Sequence, residues 1–246
     1  MKNIIFIILS IWVASATGQD TQGQITYERK VFWANIYAKL PFLSQEEKEK
    51  ELAIWGKEQG KYADKYTLDF NPSQTLYQQI KNEDIGGWSW KGDGVLFYRD
   101  LENKTMIDKT ALADKDFIIK GDTPRIKWKI QNEIRDIQGY LCMKAVAIHP
   151  IHNTPITAWY SDKIPVSSGP EGIGGLPGMI LMLIYNEDDV SIEATSITIS
   201  ENNKDIALPK KMKGKETTHE KYKEDFNKYV KQSIEGKRNP YWAVRL

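Results

Sequence analysis

Short runs of β-branched and aromatic residues recur along the chain about every ten residues, separated by turn clusters. Ile25 to Trp33, Tyr66 to Phe70, Thr75 to Tyr77, Val95 to Asp100, Thr105 to Asp108, Phe117 to Ile119, Ile126 to Ile130 and Gly139 to Ile148 all read as strands. Met179 to Tyr185 has no polar face, so it predicts a strand covered on both sides. After Asn186 to Asp189, Val190, Ile192 and Ala194 alternate with polar partners in a returning strand. Helical spacing is confined to two places. Ser44-Gln45-Glu46-Glu47 matches a capping box that opens a charged helix to about Lys57, with Leu52 and Trp55 inward. Thr217-Thr218-His219-Glu220 matches another, with Thr217 as the cap. Behind it Tyr222, Phe226, Tyr229 and Val230 share one face of an amphipathic helix at about 218–235, stopped by Gly236. The pattern predicts an α+β fold, a large antiparallel β-sheet packed with one or two helices.

One segment breaks the rhythm. Between Trp159-Tyr160 and the apolar run lie Ile164-Pro165 and a stretch from Gly169 to Gly178 that holds five glycines and two prolines in ten residues. Glycine permits positive φ and close backbone approach, while proline fixes φ and removes a donor, so a rigid, shaped turn is expected. The spacing fails as a dinucleotide fingerprint because Pro177 stands where the third glycine belongs and a strand follows rather than a helix. A phosphate-binding loop would need a Gly-Lys-Ser/Thr ending, which is absent.

The N-terminus changes the picture of where this chain works. Lys2, the run Ile4 to Val13 broken only by Ser10, and Ala14-Ser15-Ala16 form the three parts of a secretory signal peptide, residues 1–18, cut after Ala16 or Gly18. The run is short of the ~20 residues that a spanning helix needs. Residues 19–246 are then expected to form a single domain, periplasmic or extracellular and not membrane-spanning. Lysine and arginine total 34 against 33 acids, and loss of Lys2 leaves 33 against 33. A neutral chain with interspersed charges offers no electrostatic basis for nucleic-acid binding. The lone Cys142 sits in an apolar run and reads as a small buried hydrophobe.

Reactive groups are sparse in this pattern. His149 and His152 could close on copper or zinc if Pro150 turns the chain, with Cys142 and Met143 as soft ligands nearby. Ser167 and Ser168 lack a nucleophile elbow, and Cys142 would meet His149 only if the sheet folds back. Asp162, Glu187, Asp188 and Asp189 read as solvated turn residues. Trp88 and Trp90, flanked by glycine and charge, are the tryptophans best placed for an exposed binding face.

The hexapeptide Gly175-Leu176-Pro177-Gly178-Met179-Ile180 resembles the signature of the GLPGLI family of exported Bacteroidetes proteins, with Met179 for the usual leucine. Trp159-Tyr160, Ile164-Pro165, Gly169-Pro170, Asp136 to Ala145 and Leu68-Asp69-Phe70-Asn71 are similar to that family's patterns in the same order. The resemblance implies a cell-envelope protein found in the company of outer-membrane transport receptors, and a curved half-barrel sheet like that of lipoprotein carriers. It brings no catalytic residue, metal or cofactor. The expectation is therefore a non-catalytic binding or accessory protein presenting an apolar concave sheet face to a small hydrophobic ligand or an envelope partner. Metal binding and an uncharacterised hydrolase stand as alternatives. The expected ligand-binding or structural residues are Trp159, Tyr160, Pro165, Gly169, Pro170, Gly175, Leu176, Pro177 and Gly178.

Overall fold

The computed structural model describes residues 21–57, 60–61, 63–80, 94–200 and 206–245. The signal-peptide segment and the Trp88 and Trp90 expectation lie outside the described residues.

Among the described residues twelve strands form one sheet. In chain order they are β1 (Gln22–Val31), β2 (Asp64–Phe70), β3 (Gln74–Gln79), β4 (Leu96–Asp100), β5 (Thr105–Leu112), β6 (Lys115–Asp122), β7 (Lys129–Ile137), β8 (Tyr140–Ile148), β9 (Pro155–Ser161), β10 (Met179–Tyr185), β11 (Val190–Ser200) and β12 (Lys215–Thr217). Across the sheet they run β12-β6-β5-β4-β3-β2-β1-β11-β10-β9-β8-β7. Every pair is antiparallel except β12 with β6. The same residues include three α-helices, α1 (Trp33–Lys39), α2 (Gln45–Trp55) and α3 (His219–Glu235), so the fold is a β-rich α+β architecture.

The continuous apolar strand β10 sits where that pattern requires, between β9 and β11 with its residues buried except the half-buried Ile184. Burial on both faces needs apolar side chains on both, and the alternating strands β1 and β5 bury only one. The buried Tyr27 hydroxyl donates to the Ile180 carbonyl at 2.7 Å and so meets its polar requirement inside the core.

Three local expectations shift. Ser44 and Glu47 make the full capping box, yet Leu52 is 56% exposed, and only Trp55 packs, against Trp33 and Trp242. Thr218, not Thr217, caps α3 by accepting from the Lys221 N–H, which leaves Tyr222 and Phe226 facing the sheet. Trp33 opens α1 instead of ending β1, and this seven-residue helix has no side-chain cap. It is held by tertiary packing of Ala34 and Ile36, which a propensity reading does not see.

The sheet bends far enough for distant strands to meet. Ile151, in the β8–β9 turn, packs with Met106 of β5, Phe117 and Ile119 of β6, and Tyr222 and Phe226 of α3. Seven places separate β5 from β9 in the strand order, so the sheet must curl to bring them together.

Candidate functional site

The glycine-proline segment lies against the start of β10. Met179 N–H donates to the Ile164 carbonyl and Ile180 N–H to that of Ser168, both at 2.9 Å. Within the segment Pro170–Gly172 makes a single 3₁₀ turn, and Glu171 at its centre takes left-handed backbone angles, φ 55° and ψ 25°. A non-glycine residue there costs about 1–2 kcal/mol, so the surroundings must hold it. They hold it by charge. Its buried carboxylate accepts from Arg29 Nε of β1 at 3.2 Å, from Arg245 Nε near the C-terminus at 2.7 Å, and from the Tyr185 hydroxyl of β10 at 2.6 Å.

Beside it stands a second buried pair. Arg99 of β4 is bound by both carboxylate oxygens of Asp108 on β5 and donates from Nε to the Gly172 carbonyl at 3.0 Å. Gly172 has φ +67°, and a Cβ there would lie 2.1 Å from Arg99 Nη2, so glycine is what admits the guanidinium. The turn at His149 to Thr154 adds the histidines. His149 and His152 stack at 4.0 Å, and His152 stacks in turn on Phe226 of α3 at 4.7 Å. His219, the first residue of α3, completes the group. These side chains surround a cavity of about 60 Å³ whose apolar wall includes Phe97, Met106 and Ile119.

The two carboxyl groups are driven apart. Burial pushes Asp108 up against the pull of Arg99. Burial also works to raise Glu171, but Arg245, Arg29 and the Tyr185 hydroxyl outweigh it and hold the carboxylate below its ordinary value. Glu171 thus stays anionic while Asp108, with one guanidinium rather than two, is nearer to protonation. Such a division is the one that acid–base work draws on.

Burial depresses the histidines, His149 well below the ordinary 6.5 and His152 to about 3. Above pH 6.5 these rings are neutral in both folded and unfolded chains. As pH falls toward 3, the unfolded chain takes up protons that the folded one refuses, so stability declines across that interval. Glu171, with its depressed value, adds a further loss below the ordinary carboxylate value of 4.5. Urea unfolding is expected to show lower stability at pH 5 than at pH 7, with a smaller drop in His152→Gln. Equal drops in both proteins would remove the histidines as the cause.

None of the nine residues singled out from the sequence lines this cavity. Trp159 is buried in β9 with the Arg135 guanidinium 4.7 Å above its ring, and Tyr160, Gly169, Pro170, Leu176 and Gly178 are buried in the packing around β10. Pro165, Gly175 and Pro177 face solvent. The cavity is lined instead by Glu171 to Gly174, which sit between them. Sequence reasoning missed Arg99, Asp108, Glu171 and Arg245, although Asp108 alternates with Met106 and Thr110 on the buried face of β5. A carboxylate on the apolar face of an alternating strand is a readable signal. Asp189 is not a solvated turn residue either, being buried and paired with Lys39 at 2.8 Å.

Among the described residues, a curled, mainly antiparallel β-sheet with an ionic cavity under its glycine-proline turn is what fold and site define. Residues 96–224 match the family described as N-glycanase peptide, N-terminal domain, and the chain belongs to that family. No curated protein matches it. Among solved structures it is similar to PNGF-II, in crystals of space groups C2 and P21, at 18% and 19% identity and a TM-score of 0.50 in each case. Each match covers 85% of this chain and 33% of the PNGF-II chain, so this chain spans about a third of those proteins' length.

These findings correct several expectations. Membership of the GLPGLI family is replaced by the family described as N-glycanase peptide, N-terminal domain, over residues 96–224. The expected non-catalytic binding or accessory protein gives way to the same family match, and the cavity at the turn, where an apolar face was expected, holds the buried ion pairs of Glu171 and Asp108. Copper or zinc binding through His149 and His152 fails on geometry. The rings stack face to face, and His149 Nδ1 accepts from the N–H groups of Ile151 and His152 at 3.2 and 3.1 Å. Among the described residues no three His, Cys, Asp or Glu side chains converge as ligands. Cys142 is fully buried, its thiol pushed up to about 12 by burial and then by Asp136, and it donates to the Tyr140 carbonyl, so it is a packing residue and a poor nucleophile. Ser168 is likewise buried against Thr75, 2.9 Å between hydroxyls. No helix among the described residues is long and apolar enough to cross a membrane.

Proposed function

We propose that this chain takes part in the hydrolytic release of N-linked glycans from glycoproteins, and that the ionic cavity is where it engages the glycopeptide. One observation carries this reading. Every ionisable residue lining the cavity except Arg245 lies within residues 96–224, the span matched by the N-glycanase family. The cavity and the family likeness therefore occupy the same part of the molecule. A buried site that holds one anionic and one more readily protonated carboxyl is suited to polar substrates.

The bend of the sheet supports the finer reading of a half-barrel resembling lipoprotein carriers, with the cavity in its concavity. An exported location, with residues 1–18 as leader, agrees with glycoproteins as substrates.

The test incubates the purified chain with a denatured N-glycosylated protein and follows glycan release and conversion of asparagine to aspartate by mass spectrometry. In parallel, binding of an N-glycopeptide is compared with that of the bare peptide. Release, or saturable binding that requires the glycan, is expected. Neither release nor glycan-dependent binding would overturn the reading.

A further inference from the structure

We propose that α3 is an acid-operated gate over the cavity, held shut by the ring stack of His149, His152 and Phe226 and loosened when the histidines take up protons. Its consequence for glycopeptide entry rests on the glycan reading above, while the device itself does not.

α3 is attached to the sheet through a small cluster of its own. Tyr222 and Phe226, the large side chains that it buries, pack with Met106, Leu112, Phe117 and Ile119, apart from the main core around β10. His219 and Tyr222 also form part of the cavity wall. Lifting the helix therefore uncovers the cavity and leaves the main core closed. The rest of its hold is the stack, in which Phe226 lies 4.7 Å from His152 and His152 lies 4.0 Å from His149.

The stack suits neutral rings. His152 Nδ1 and His219 Nε2 are buried with no hydrogen-bond partner, so a proton on either has no acceptor waiting. Arg29 of β1, Arg99 of β4 and Arg245 stand beside Glu171 and Asp108, and both carboxylates already serve these guanidinium groups. The Tyr185 hydroxyl, whose ring lies 5.5 Å from His149 and 6.1 Å from His152, donates to Glu171 as well. Glu171 draws a proton toward His149, but burial, His152, His219 and Lys223 outweigh it. Burial, Arg29 and Arg245 act against charge on His152. On His219 burial, Lys223 and Arg99 prevail over Glu220.

Above pH 6.5 the rings are neutral whether α3 is seated or lifted. Below it, a lifted helix lets His152 and His219 bind protons that the closed form refuses, so opening gains as pH falls. Each freed histidine multiplies the opening constant by up to about tenfold per pH unit. His152, held to about 3 in the closed form, contributes most, and the half-buried His219 less.

Native-state hydrogen exchange of the full chain, resolved by NMR at pH 7, 6 and 5 without glycan, tests the gate. After correction for the intrinsic pH dependence of exchange, α3 amides are expected to open more readily than β10 amides. Their opening constant should rise about tenfold or more from pH 6 to pH 5. In His152→Gln only the smaller gain from His219 should remain. Should that variant fail to fold, His219→Gln is expected to lessen the gain, and the profile of the unaltered chain decides by itself.

α3 amides that share the opening constant of β10 at every pH would overturn the gate, since the helix would then leave only when the whole chain unfolds. So would an opening constant that stays flat from pH 7 to pH 5, or a gain undiminished in His152→Gln. A chain that neither releases glycan nor binds N-glycopeptide would sink the reading above and leave the gate standing.

Discussion

Replacing Glu171 with alanine is expected to destabilise the fold by about 3–5 kcal/mol, the usual cost of removing one member of a buried ion pair. Arg245 would lose its carboxylate partner, Arg29 one of its partners, and the Tyr185 hydroxyl its acceptor. For a chain of this size the change corresponds to a fall in Tm of roughly 10 °C, readable by circular dichroism. Glu171→Gly separates charge from backbone strain. It loses the same carboxylate but relieves the left-handed φ of 55°, so its loss should be smaller than that of the alanine variant by about 1 kcal/mol. A loss below about 1 kcal/mol in Glu171→Ala, the range of an exposed ion pair, would mean that the cluster does not hold the turn.

Gly178→Ala should cost about 3 kcal/mol or more, and for a different reason. A Cβ at this position would stand 2.1 Å from the Ser161 carbonyl oxygen and 2.6 Å from its carbon. Both are backbone atoms, so no side chain can swing away. Met179 pairs with Ser161 in the β9–β10 ladder, and relieving the clash means parting these strands at the buried centre of the sheet. Gly139→Ala is the matched control. Gly139 has φ +80°, but a Cβ there would meet nothing within 4 Å, so only backbone strain of about 1–2 kcal/mol applies. Chemical denaturation of both variants measures the difference. Similar losses in the two would show that close strand approach is not what position 178 requires.

Much of the architecture was legible because burial imposes a period. The alternation in β1 and β5, the unbroken apolar run of β10, and the i, i+4 spacing of Tyr222 and Phe226 each state which faces must leave water. β7 was only partly legible, because an edge strand needs backbone partners and little else. Its sequence Lys129 to Ile137 is mostly polar, Ile134 is 66% exposed, and it holds its place through the ladder to β8. The resemblance built on the Gly175 to Ile180 hexapeptide misled for a related reason. A turn motif states what the backbone must do locally and leaves open which distant side chains gather over it.

By itself the sequence determined that the chain builds a large, mainly antiparallel sheet, with a capped amphipathic helix near its end and a stiff glycine-proline turn before its most apolar strand. Those features depend on neighbours a few residues apart, where spacing and conformational preference act directly. The site was decided only in three dimensions. Glu171 lies 142 residues from Arg29 and 74 from Arg245, and Arg99 lies 73 from Gly172. No local pattern couples charges so far apart. They meet because the curled sheet closes on its own turn, and because each buried charge is stable there only with the others in place.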